Sequence, residues 1–142
     1  MRFSALVTPV LIIFSIGCSH TSGSRLPDSI RSPSSTYYVQ NHGKDSRQLE
    51  ATVAEILRER GLNATAGSAS MRPQDGAYLV TYVDRWQWDM RMYLLKFTIA
   101  VSDSETGKRL GFGESYQDSL AAMGLTHRDV IERAVDELLG SR

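Results

Sequence analysis

The run from Tyr93 to Val101 constrains the fold most. Its odd positions, Tyr93, Leu95, Phe97, Ile99 and Val101, are all apolar, while Lys96 and Thr98 stand between them and Ser102 follows. A period of two places alternate side chains on opposite faces, so this segment is a strand with one buried face and one more polar face. Such a strand needs partner strands and an apolar layer to cover it. Tyr78-Leu79-Val80-Thr81-Tyr82-Val83 is rich in β-branched and aromatic residues, and the run can extend through Asp84-Arg85-Trp86-Gln87-Trp88. Asp103 to Lys108 reads as a hairpin loop, after which Arg109 to Tyr116 returns as another strand. Tyr37-Tyr38-Val39 is a short strand ended by Asn41-His42-Gly43, Leu62 to Ser68 a weaker one, and Ser70 to Gly76 a turn.

Two amphipathic helices supply the covering layer. In the first, over about 45–60, Leu49, Val53, Ile56 and Leu57 recur at helical spacing with Ala54 beside them. Asp45 is a suitable N-cap with Gln48 three residues on, and Gly61 stands where a left-handed residue ends a helix. The second helix spans about 127–139. Thr126 and Asp129 form a capping box, Leu125 and Val130 are spaced as a hydrophobic staple, and Gly140 closes the end. Its buried stripe is Val130, Ile131, Ala134, Val135, Leu138 and Leu139. The order β-α-β-β-β-β-α predicts an α+β two-layer sandwich, with an antiparallel sheet of about four to five strands and both helices on one face.

The N-terminal region has a different composition. Met1-Arg2 precedes an apolar stretch from Ala5 to Phe14 and then Ser15-Ile16-Gly17-Cys18. A charged start, an apolar segment of about 10 residues and a small-residue site make a secretory signal, while a transmembrane helix needs about 20. Cys18 is the single cysteine of the chain. It follows the small residue directly, and Ile16-Gly17-Cys18 resembles the lipobox of bacterial lipoproteins, with Ser15 where that family usually has leucine. The resemblance implies that residues 1–17 are removed and that Cys18 is lipidated, which anchors the protein to a membrane. Those lipoproteins typically carry three acyl chains on the cysteine, enough for durable attachment. Ser19, in place of the aspartate that commonly retains Gram-negative lipoproteins in the inner membrane, points to the periplasmic side of the outer membrane. A buried or simply discarded cysteine is the plainer alternative.

Residues 18–35 form the lipidated cysteine and a tether. Serine is frequent, Gly23, Pro27 and Pro33 interrupt it, and its aliphatic residues are Leu26 and Ile30. Such a stretch buries too little apolar surface to offset its ordering entropy. As a flexible chain of roughly 17 residues it spans roughly 20–25 Å. The alternative is that Leu26 and Ile30 dock on the domain. Residues 36–142 are then a single globular domain.

Behind the signal and tether, the succession of Tyr37-Tyr38-Val39, Asp45, Leu49, Ile56-Leu57, Gly61 and Tyr78-Leu79-Val80-Thr81-Tyr82 is similar to small bacterial lipoproteins of the DUF4136-like kind. Its motifs are structural. The resemblance implies a fold and an envelope address, not a reaction, and Asp84 to Tyr93 falls outside its pattern.

The chemistry of the chain points to binding. With 16 basic and 16 acidic residues it is neutral, which argues against nucleic acid as a partner, since that role needs a basic face. One cysteine excludes an internal disulfide and a cysteine-based zinc site. His20, His42 and His127 share no spacing suited to a metal. There is no nucleophile elbow, and Gly111-Phe112-Gly113 lacks the lysine and the following helix of a phosphate loop, so a glycine-kinked strand is expected there. Asp84, Asp89, Asp103 and Glu114 lie near strand ends, and a pair 5–9 Å apart is what a glycosidase requires.

The unusual segment is Asp84 to Tyr93, which holds both tryptophans, Trp86 and Trp88. In a strand they share a face with Tyr82 and Tyr78, while Arg85 and Gln87 point the other way. Turned inward they are core residues at the end of the sheet. Turned outward, Tyr82, Arg85, Trp86, Trp88 and Arg91 are candidates for a partner surface, because Trp, Tyr and Arg dominate binding hot spots. The sequence thus reads as a non-enzymatic, lipid-anchored accessory domain of the envelope, without a cofactor or metal. It would bind an envelope protein or copies of itself. The alternative is a binder of envelope glycan, peptidoglycan or lipopolysaccharide.

Overall fold

A computed structural model describes residues 18–44, 47–119 and 121–141. The signal segment, including its apolar run, lies outside the described residues. Among the described residues the protein is α+β: one mixed sheet of six strands with two α-helices. The strands are β1 (Ser19–Ser24), β2 (Thr36–Gln40), β3 (Asn63–Gly67), β4 (Ala77–Asp89), β5 (Arg91–Ser102) and β6 (Arg109–Gln117). The helices are α1 (Leu49–Glu59) and α2 (His127–Leu139). Along the sheet the order is β1-β6-β5-β4-β2-β3.

The expected sheet of four to five antiparallel strands is corrected in two ways. First, β2 runs parallel to both of its neighbours, β3 and β4. The cause is α1. A helix between two strands carries the chain back to the end it left, so β2-α1-β3 is a parallel unit rather than part of a meander. Residues 68–76 then return the chain from the Gln40 end of β2 to its Thr36 end, and β4 enters there on its other side. Only β4-β5-β6 is the antiparallel meander that alternation predicted.

Second, Ser19–Ser24 is not a flexible tether but an edge strand in antiparallel register with β6, from Ser19 opposite Gln117 to Ser24 opposite Phe112. Backbone hydrogen bonding and the next apolar residue account for it. Leu26 is buried in the core, its amide donates to the Leu138 carbonyl (2.8 Å), and Ile30 packs on the same cluster. Docking of Leu26 and Ile30, the alternative to a tether, is what the chain adopts. The Tyr37 hydroxyl also donates to the Ile30 carbonyl.

One core unites both helices with the sheet. Leu49, Val53, Ile56 and Leu57 of α1 meet Val39, Ala64 and Val80, and Val130, Ile131, Ala134, Val135 and Leu138 of α2 join Phe97, Ile99 and Val101. The apolar stripes of both helices are buried as their spacing predicted. The capping box of α2 is present, with Thr126 Oγ1 accepting from the Asp129 amide and Asp129 Oδ2 accepting from the Thr126 amide (2.6 Å). Gly140 and Gly61 end their helices with φ of 66° and 84°. The start of α1 differs from expectation. The helix begins at Leu49, Gln48 is itself the N-cap at φ 55°, and its side chain makes no capping bond; Asp45 lies outside the described residues.

The Gly111-Phe112-Gly113 segment is strand β6, and its glycine serves packing. A Cβ on Gly113 would lie 1.9 Å from the Ala134 carbonyl oxygen. Only a bare Cα lets α2 lie this close to the sheet. Charges join the helices at the surface: Arg60 Nε is 2.8 Å from Asp136 Oδ1, and Arg128 reaches Glu59 (2.7 Å). The opposite face of the sheet is mixed: Lys96 pairs with Glu114 at 2.9 Å, and Val83 and Tyr116 stand exposed beside them.

Candidate functional site

The segment that carries the aromatic residues is the outer half of the β4–β5 hairpin, and a β-bulge decides its faces. Register shifts between Arg85 and Trp86, where Arg85 faces Lys96 but Trp86 faces Leu94. The extra residue is Leu95 on β5. From the bulge outward the β5 alternation inverts: Leu94 is buried in the core cluster, and Leu95 is only half-buried. The expectation that Leu95 lines the buried face fails for this reason.

Strand β4 keeps its alternation, so Tyr82, Trp86 and Trp88 do share a face, the one that meets the helices. Tyr82 is buried and stacks on Phe97 with ring centroids 5.7 Å apart. Trp86 is half-buried and packs on the edge of the core. Trp88 runs past the core and is 66% exposed. Of the two orientations open in the sequence, the inward one holds for Tyr82 and Trp86, and the hairpin simply outruns the helices at Trp88. Arg85 is exposed on the other face.

Around Trp86 lies a polar relay. Its Nε1 donates to Asp84 Oδ2 (2.7 Å), and His42 Nε2 is 2.7 Å from Asp84 Oδ1. The Lys44 amide donates to His42 Nδ1 (3.1 Å). That bond makes Nδ1 an acceptor, so Nε2 carries the proton that Asp84 accepts. The Arg47 guanidinium sits 4.0 Å from the Trp86 ring centroid, a cation–π distance, and the His127 ring centroid is 6.3 Å away. Trp86, Arg91, Gln117, Thr126 and His127 line a cleft of about 300 Å³. Gln117 is buried there, and its Nε2 donates to the Leu94 carbonyl (2.9 Å).

The tip of the hairpin faces the 118–125 segment. The Arg91 guanidinium donates to the Ala122 carbonyl. A wider depression of about 470 Å³ lies between tip and loop, lined by Asp89, Met90, Arg91, Tyr93, Ser119 and Met123. Burial, with Asp89, Tyr116 and Asp118 nearby, raises the Tyr93 hydroxyl above its ordinary pKa. Beside this depression, Asp118 accepts from the Cys18 amide (2.9 Å), and the Cys18 thiol is exposed. The sequence-derived candidates therefore divide. Trp86, Trp88 and Arg91 belong to one end of the molecule together with Cys18, whereas Tyr82 lies in the core and Arg85 on the far face. Met90, Met92 and Met123, exposed at the same end, carried no alternation or motif that singled them out.

The four strand-end carboxylates do not form one cluster. Asp89 and Asp103 flank opposite ends of β5, a strand of 12 residues and hence roughly 40 Å long. Asp84 serves His42 and Trp86 on the helix side, while Glu114 pairs with Lys96 and Thr98 on the open face. Asp103 accepts from the amides of Glu105 and Thr106 in its turn, and the Thr106 bonds hold its carboxyl below the usual range. Among the described residues no group of three or more histidine, cysteine or acidic side chains is placed to hold a metal, and no helix is long and apolar enough to cross a membrane.

No family model matches the chain, and no curated protein matches it. Solved structures do. The chain is similar in fold to PelC from Paraburkholderia phytofirmans, crystallised as a dodecamer, at a TM-score of 0.59 and 15% identity, covering 88% of this chain and 99% of that one. A single-substitution variant of that dodecamer, in a second crystal form, matches with the same values.

Proposed function

We propose that this protein is a lipid-anchored domain of the bacterial envelope, held at the periplasmic side of the outer membrane through Cys18, and that it acts by association rather than catalysis. The observation that supports this most is the setting of Cys18: an exposed thiol, preceded in sequence by an apolar segment and followed directly by β1. Its side chain is accessible for lipidation while its backbone is already part of the fold.

Assembly with further copies is the favoured form of association. The two edge strands are short, and the Arg58 guanidinium donates to the Ala64 carbonyl on β3 (2.8 Å), but neither strand carries within itself the residues that most discourage pairing. β1 reads Ser-His-Thr-Ser-Gly-Ser and β3 reads Asn-Ala-Thr-Ala-Gly, with no lysine, proline or acidic residue to discourage pairing. Two different edges, one on each side of a subunit, suit a head-to-tail contact that closes into a ring. The dodecameric crystals of PelC, similar in fold, agree with that reading. Sedimentation of the protein without residues 1–18 tests it. Species larger than a monomer that dissociate in Thr21→Lys or Thr65→Lys variants are expected; a monomer at every concentration would overturn self-assembly.

Binding of envelope glycan is the second reading, favoured by the Trp86 cleft. An aromatic ring beside Arg91, Thr126, His127 and Gln117 offers stacking and hydrogen bonding together. Titration with soluble peptidoglycan fragments, followed by tryptophan emission and by a Trp86→Phe control, separates this reading from the first.

A further inference from the structure

Large apolar side chains stand in water at one end of the molecule. Met90 is 94% exposed, Met123 72%, Trp88 66% and Met92 48%. Trp88 and Met92 are cross-strand partners on the hairpin, Met90 is the turn residue between the strands at φ 58°, and Met90 and Met123 both line the depression of about 470 Å³. Water-exposed Met90 and Trp88 at a hairpin tip contribute nothing to the core. Apolar side chains grouped in this way mark a surface that meets another phase or partner.

Cys18 identifies the occupant. Its amide is bonded to Asp118, and Asp118 lines a common depression with Trp88 and Asp89. β1 starts at the very next residue, Ser19, so no slack separates Cys18 from the sheet. An acyl chain on Cys18 would hold this end of the domain, and no other, against the bilayer. We propose that the β4–β5 hairpin tip and the 118–125 segment lie in the boundary layer of the lipid bilayer, with Trp88, Met90, Met92 and Met123 entering it beside the lipidated Cys18. This rests on the reading of Cys18 as the lipid attachment point.

The side chains suit that layer. Tryptophan favours the membrane–water interface because its ring is apolar and its N–H is polar. Methionine is unbranched and adapts to a disordered surround. Charge at this end is mixed, Asp89 and Asp118 against Arg91, so the attraction is to the apolar boundary and not to anionic headgroups. Seating is therefore indifferent to anionic lipid and to salt.

The full lipidated protein, purified from cells and reconstituted in phosphatidylcholine vesicles, provides the test. Emission is compared between vesicles with ordinary and with brominated acyl chains, and a Trp88→Phe variant reports Trp86 alone. The Trp88 contribution is expected to fall in brominated vesicles, because tryptophan seats at the membrane–water interface, and to do so equally with anionic lipid added. A Met90→Asp, Met123→Asp double variant should keep its lipid and lose that quenching. Trp88 quenched by aqueous iodide but not by brominated lipid would overturn the proposal, as would a Trp88 shielded from both by a second copy. A chain whose mass shows no lipid on Cys18 would overturn the anchor reading and this proposal with it, whereas a lipidated chain with unquenched Trp88 overturns the proposal alone.

Discussion

The Cys18 amide donates to Asp118 Oδ2 at 2.9 Å, and the Asp118 amide donates back to the Cys18 carbonyl at 3.3 Å. This reciprocal pair joins residues 100 positions apart and starts the β1–β6 ladder. An N-acylated cysteine keeps one N–H, so the bond survives the modification that the sequence implies. We expect Asp118→Ala to loosen β1 selectively. Loss of about 1–2 kcal/mol of local hydrogen bonding corresponds to roughly tenfold faster amide exchange over Ser19–Ser24, with α1 unchanged, and exchange detected by mass spectrometry checks this.

Leu138 is fully buried between α2 and the sheet, and its carbonyl receives the Leu26 amide. Truncation to alanine should cost about 2–5 kcal/mol in a denaturant titration. A loss under about 1 kcal/mol would mean that α2 is not docked as described.

Gly113→Ala should cost more than ordinary overpacking, which runs about 1–3 kcal/mol, because the new methyl group would meet helix backbone instead of a flexible side chain. The helix must move or the strand must bend. Thermal unfolding of this variant, set beside Leu138→Ala, measures the effect.

Burial pushes the Tyr37 hydroxyl up to about 12, with Tyr78 adding to the shift and Arg31 opposing it. The unfolded chain releases this proton near pH 10, so between pH 10 and 12 the native state binds more protons than the unfolded state. The stability that Tyr37 contributes is complete below pH 10 and declines as pH rises towards 12. Tyr37→Phe removes the bond to Ile30 at a cost of about 1 kcal/mol at neutral pH. It should also flatten the decline in stability between pH 10 and 12 relative to the natural chain, as read from urea midpoints.

Legibility in the sequence followed apolar periodicity. α2 was readable to its caps, since Thr126, Asp129 and Gly140 each do locally what their chemistry favours. The β4-β5-β6 meander was readable from alternation and the Asp103–Lys108 turn. β1 was not, because Ser19–Ser24 carries no apolar pattern: its order comes from backbone pairing with β6 and from Leu26 beyond it. The parallel placement of β2 and β3 was also hidden, since strand direction is set by where α1 returns the chain. At the candidate site, the shared face of Tyr82, Trp86 and Trp88 followed from period two, but their different burial did not. That depends on how far the hairpin extends beyond the helices. The bulge at Leu95, which turns Leu94 into the core, leaves no mark in the residue types.

Intact-mass analysis of the protein extracted from membranes, with fragmentation of its N-terminal peptide, tests the anchoring account most directly. The expected result is a chain that begins at Cys18 and carries acyl groups on that residue, and a Cys18→Ala variant that is absent from the membrane fraction. A chain that retains residues 1–17, or that begins at an unmodified Cys18 and is soluble, would contradict it.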